Sequence, residues 1–158
     1  LFDFKSTGDI DQWRVVNDGV MGGKSQASFA LTADGTGLFK GRVSLENNGG
    51  FSSLRYNMET VQTTNYQKLA VRLKGDGKNY QLRIREKESD YFSYIATFAT
   101  TGEWETIEVA LADMFPSFRG RELDRPNYEG NSIVELTFLI ANKKAETFVL
   151  EIENIALK

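Results

Sequence analysis

The chain has 158 residues, 41% of them hydrophobic, which is enough for one compact domain (residues 1–158) with a core of its own. It contains no Cys and no His, which excludes disulfides, thiolate metal sites, a Cys nucleophile and the His-based proton relays of ordinary hydrolases. The formal net charge of −3 argues against the broad basic footprint of a nucleic-acid binder, and no apolar run approaches the roughly 20 residues of a membrane span.

Apolar and polar residues alternate at period two along most of the sequence, so the chain reads as mostly β. The opening LFDFKSTGDIDQW lacks a charged segment followed by an apolar stretch, and a soluble chain is the expectation. Because it begins with Leu1, the compartment is not readable from the start; the cytoplasm is the expectation for a bacterial source. Residues 17–25, NDGVMGGKS, place glycines beside Lys24 as a phosphate cradle would. The spacing of a P-loop is missing, and SQASFALTAD after it alternates as a strand instead of starting a helix. A structural loop in which Asn17 and Asp18 cap backbone N–H groups is the better reading. Residues 38–45 then alternate with Phe39, Val43 and Leu45 on one face, and a second Gly-rich turn, ENNGGFSS at 46–53, carries Asn47 and Asn48.

Further along, KLAVRLK turns Leu69, Val71 and Leu73 inward, and KGDGKN after it reads as an Asp-Gly hairpin turn. YQLRIRE sets Tyr80, Leu82 and Ile84 against Gln81, Arg83 and Arg85, and the turn EKESD leads to YFSYIATFAT as antiparallel partner. Arg83 and Arg85, joined by Arg55, form a solvated outer face, a basic strip that reads a carboxylate, phosphate or sugar hydroxyl, or an internal ion-pair network; all three readings stay open. Tyr91, Phe92, Tyr94 and Phe98 are core on one side and a candidate aromatic platform on the other. WETIEVAL carries Ile107, Val109 and Leu111 inward, a short helical turn follows near 111–115, and FPSFRGR at 115–121 combines two Phe with two Arg, either as an interface hot spot or with both rings folded into the sandwich end and the arginines solvated. IVELTFLIA and TFVLEIENIAL complete the strands, with the first and last runs of the chain expected to be neighbours. In the last, the inward phase passes from Phe148, Leu150 and Ile152 to Ile155 and Leu157, which predicts a β-bulge at Asn154. About nine to eleven such strands predict an all-β, antiparallel two-sheet jelly-roll sandwich.

Trp13 with residues 16–25 (VNDGVMGGKS), residues 39–51 (FKGRVSLENNGGF) and residues 115–121 (FPSFRGR) together resemble the NADH:ubiquinone oxidoreductase complex I intermediate-associated protein family. Residues 74–77 (KGDG), Tyr80, Arg83 and Arg85 extend the resemblance over nearly the whole chain. It implies a galactose-binding-like sandwich, which the strand at 104–111 and the closing strand at 151–157 also resemble. It further implies an assembly-factor role and no catalytic residue.

The expectation is a non-catalytic module docking a protein partner, such as a respiratory-complex assembly intermediate, through its loop rim. Its binding residues are Asn17, Asp18, Asn47, Asn48, Arg55, Arg83, Arg85, Phe118, Arg119 and Arg121, with no cofactor and no metal site. A sugar-binding module of carbohydrate-binding type is the alternative. An enzyme using carboxylates alone, such as Asp18 with Glu46, is the weakest reading, and loop Asp and Asn side chains also suit a structural Ca²⁺.

Overall fold

A computed structural model describes residues 1–7, 10–18, 23–46 and 49–158. In chain order the elements are β1 (Phe2–Asp3), α1 (Phe4–Thr7), β2 (Trp13–Asn17), β3 (Gln26–Leu31), β4 (Gly37–Val43), β5 (Ser52–Gln62), β6 (Lys68–Lys74) and β7 (Asn79–Arg85). They continue with β8 (Ser93–Ala99), β9 (Trp104–Ala110), a 3-10 turn (Leu111–Asp113), β10 (Phe115–Phe118), β11 (Arg121–Glu122), β12 (Ser132–Ile140) and β13 (Glu146–Leu157). These build two antiparallel sheets, one ordered β3-β4-β13-β6-β9 with β1 added against β13, the other β11-β10-β8-β7-β12-β5-β2. The expected two-sheet jelly-roll sandwich is what forms.

The core lies between the sheets because alternation aims one apolar face of each inward. Phe39, Leu69, Leu73, Phe148 and Leu150 from the first sheet meet Leu54, Leu82, Ile84, Leu136 and Phe138 from the second, all at most 1% exposed. At one end Phe2, Phe4 and Phe29 surround Trp13, which stacks on Tyr56 at 4.6 Å, its register partner across β2 and β5.

Several local readings hold in detail. β7 and β8 pair antiparallel as a hairpin, and the helical turn is present as the 3-10 turn at Leu111–Asp113. Phe2 lies opposite Ile155, so the chain ends are neighbours. β13 shifts register against β6 between Ile152 and Asn154, the bulge that returns Ile155 to the core. Two readings need correction. Leu45 is exposed because β4 ends at Val43 and the chain leaves the sheet before Leu45 can follow the alternation. KGDGKN is not a hairpin: β6 and β7 belong to different sheets, and the segment crosses between them. Asp76 fastens that crossing by accepting from the backbone N of Val149 (2.9 Å) and the Tyr80 hydroxyl (2.9 Å).

Candidate functional site

Three charged or aromatic clusters lie outside the core. The first is built on Asp18, only 1% exposed, at the end of β2. Its carboxylate accepts from the backbone N of Ser25 (2.9 Å), the Ser25 hydroxyl (2.6 Å) and the backbone N of Gly50 (2.6 Å) and Phe51 (3.3 Å). Burial pushes its pKa up, and the hydrogen bonds from Ser25, Gly50 and Phe51 outweigh that and hold it below the usual carboxylate value. The glycines have their reason here. A Cβ on Gly23 would lie 2.4 Å from the Asp18 Cγ and one on Gly49 2.5 Å from its Oδ2, so only glycine lets both loops close on the carboxylate. Asn17 takes part, accepting from the Ser52 hydroxyl and donating to the Ser25 carbonyl. The cluster therefore ties β2, β3 and β5 together. Asp18 stands inside the domain, not on a rim, and Glu46 points elsewhere, 4.0 Å from the Lys24 ammonium.

The second cluster lies on the outer face of the seven-stranded sheet. Register places Arg14, Arg55, Thr137, Arg83, Ile95 and Phe115 in one row across β2, β5, β12, β7, β8 and β10. In the adjacent row Arg85 faces Glu135, and its Nη2 donates to the Glu135 Oε2. Arg83 is steadied by Gln81, whose Oε1 accepts from Nε (2.9 Å) and Nη2 (2.6 Å). Burial first, and then the Arg55 charge, pull Arg83 below the usual guanidinium pKa. For Arg55 burial again leads, Glu135 opposes it, and Arg14 and Arg85 add to it. The Nε atoms of Arg55 and Arg85 are buried without an acceptor. Glu135 is the carboxylate that pairs with Arg85, and no ion pair to a described carboxylate forms at Arg55 or Arg83.

The third is the β10–β11 hairpin. Phe118 pairs with Arg121, and the two residues between them, Arg119 and Gly120, have φ of 50° and 79°. Positive φ at both central positions is the type I′ geometry, whose twist matches that of the strands it joins. At its tip Phe118, 37% exposed, meets Tyr91, 60% exposed, edge to face at 5.2 Å, and Arg119 lies over the Phe118 ring. The contacts continue through Phe92 and Tyr94 to Tyr128, with Arg125 over Phe92 at 4.3 Å. Phe98 is core and Phe92 is buried, which leaves Tyr91 as the freely exposed ring of the predicted aromatic run.

The structure thus brings Arg55, Arg83 and Arg85 together and groups Phe118, Arg119 and Arg121 on one hairpin, but Asn17 and Asp18 lie far from that hairpin. β2, which carries Asn17, and β11 are the opposite edges of the seven-stranded sheet, roughly 30 Å apart at strand spacing. Asn47 and Asn48 lie outside the described residues. Sequence reading missed Arg14 and Glu135. Glu135 had a signal, as the one charged residue inside the apolar run IVELTFLIA, where burial demands a partner. Arg14 had none, because its neighbour Arg55 is distant in sequence. No group of three or more carboxylates converges among the described residues as a calcium site would require.

A two-sheet β-sandwich with a polar outer face is the architecture of carbohydrate-binding modules. Solved structures agree: the family 11 module from Clostridium thermocellum in complex with a beta-1,3-1,4-mixed-linked tetrasaccharide matches with a TM-score of 0.71 over 99% of this chain and 92% of its own, at 18% identity. An exo-beta-agarase matches with a TM-score of 0.59 at 10% identity, over 100% of this chain and 24% of its own. The family described as complex I intermediate-associated protein 30 (CIA30) matches residues 2–152, and the chain belongs to it. Complex I intermediate-associated protein 30, mitochondrial, of Drosophila melanogaster is 28% identical over 100% of this chain, and its namesake in Mus musculus 21% over 99%. The chain spans 62% and 55% of the length of those two relatives.

Proposed function

We propose that this domain is a non-catalytic docking module with an assembly role, and that it engages a protein of a respiratory-complex intermediate through the β10–β11 hairpin. The observation that carries the reading is the pair of exposed rings, Tyr91 and Phe118, held edge to face beside Arg119 on a tight two-residue turn. Aromatic and Arg side chains are the residues most often found to dominate binding energy, and a tip already fixed by its turn and ring contacts loses little entropy when a partner orders it. The names of the relatives supply the class of partner, an intermediate of complex I.

Immobilised wild-type domain incubated with detergent extract of the source cells is expected to retain respiratory-complex proteins. Phe118→Ala and Tyr91→Ala are each expected to lower that recovery about tenfold, equivalent to about 1.4 kcal/mol. Equal recovery by wild type and both variants would remove the hairpin from the interface. Sugar binding receives less support: the central row of the open sheet face presents guanidinium groups, with Phe115 as its aromatic member, where stacking on sugar rings calls for flat aromatic platforms.

A further inference from the structure

We infer that the arginine face of the seven-stranded sheet binds a carboxylate-rich, extended segment of a partner protein. This surface is built on β2, β5, β12 and β7 and not on the residues of the hairpin tip, and the inference does not depend on the docking role given to that tip.

Arg14, Arg55, Arg83 and Arg85 together with Glu135 sum to a charge of +3 in a chain whose total is −3. Guanidinium groups do not give up their protons in a protein. Arg14 and Arg55 occupy adjacent strands and Arg55 and Arg83 flank Thr137, spacings of about 5 and 10 Å at which like charges repel. An ion-pair network that served stability would balance its cations with anions. Here Glu135 answers Arg85, and no carboxylate among the described residues forms an ion pair with Arg55 or Arg83. The Nε atoms of Arg55 and Arg85 are buried without an acceptor, so the cluster is not satisfied from within.

The shape of the cluster selects among anions. The row from Arg14 to Arg83 crosses four strands and is about 15 Å wide, more than one small anion can bridge. An extended peptide repeats its side chains on one face every 6–7 Å or so, and acidic residues at that interval reach successive guanidinium groups. The planar arginine fork matches a carboxylate with two parallel hydrogen bonds, and Gln81 already fixes the plane of Arg83.

The probe is a fluorescein-labelled peptide of about ten residues alternating Glu and Ser, with a Gln/Ser peptide as its uncharged counterpart, followed by anisotropy on the whole domain. Saturable binding of the Glu/Ser peptide alone is expected. Arg55→Gln and Arg83→Gln should each weaken it about tenfold, and Arg42→Gln, on the outer face of the other sheet, should leave it unchanged. Thermal melting of the same proteins separates a ligand site from a structural one: relief of repulsion keeps or raises the melting temperature of Arg55→Gln while its binding falls. If Arg83→Gln does not fold, the exposed Arg14→Gln takes its place, with an expected loss of about threefold. The inference is overturned if wild type shows no saturable binding, if the arginine variants bind as wild type does, or if they lose stability and keep binding. Equal affinity for an oligo-dT of the same length, lost through the same variants, would overturn the assignment to a protein segment.

Discussion

Asp18 and the arginine face both gather charge outside the core, and they treat it in opposite ways. The single Asp18 carboxylate is enclosed by four donors, two loops close on it without room for a Cβ, and its pKa is held down. Across the same sheet four arginines gather around Glu135, and burial pushes the guanidinium pKa values of Arg55 and Arg83 down, helped by Arg14 and Arg85 at Arg55 and by Arg55 at Arg83. A charge whose partners are all internal is architecture. A charge cluster at odds with itself fits the anionic partner inferred for it. The Gly-rich loops and the basic strip are equally conspicuous in sequence, and only the count of satisfied partners tells their roles apart.

The largest effect expected from this contrast is on Asp18. Asp18→Asn replaces an acceptor of four hydrogen bonds with an amide whose N–H groups face other donors, and urea denaturation should show a loss of about 2–4 kcal/mol. Gly23→Ala and Gly49→Ala push a methyl group against the same carboxylate and are expected to cost about 1–3 kcal/mol each, without affecting peptide binding at the arginine face. The pH dependence sharpens the assignment. Because the folded pKa of Asp18 is lowered, its contribution is fully present above the unfolded value near 4 and is lost as pH falls through the folded value. The stability gap between wild type and Asp18→Asn should therefore be constant from about pH 5 to 7 and close in acid; a gap that widens in acid would contradict the assignment. Glu135→Gln, which leaves Arg85 without its ionic partner, should cost about 1–2 kcal/mol by the same denaturation. The smallest change is expected at the hairpin: Arg121→Gln, at an exposed position, should alter stability by less than about 0.5 kcal/mol.

Much of the fold was legible because it rests on local alternation. Tyr80, Leu82 and Ile84 declare their face within seven residues, and the bulge in β13 is visible as a change of phase. The crossing at KGDGKN was not, since an Asp-Gly turn looks the same whether the next strand pairs with its predecessor or passes to the other sheet. The sites divide along the same line. Arg83 and Arg85 reveal their common face through their spacing, but the row that joins them to Arg55 and Arg14 depends on pairings between β7, β12, β5 and β2, which no local pattern encodes. Glycine content marked the 17–25 and 46–53 loops as special without showing that the reason was a buried carboxylate. Likewise, nothing local reveals that β2 and the β11 end of FPSFRGR are opposite edges of one sheet.

Site-specific photo-crosslinking tests the docking role most directly. A benzophenone side chain placed at position 118 on the hairpin is compared with one at position 40, exposed on the outer face of the first sheet. Adducts with respiratory-complex proteins from position 118 and none from position 40 are predicted. Adducts of equal yield from both positions, or from position 40 alone, would contradict it.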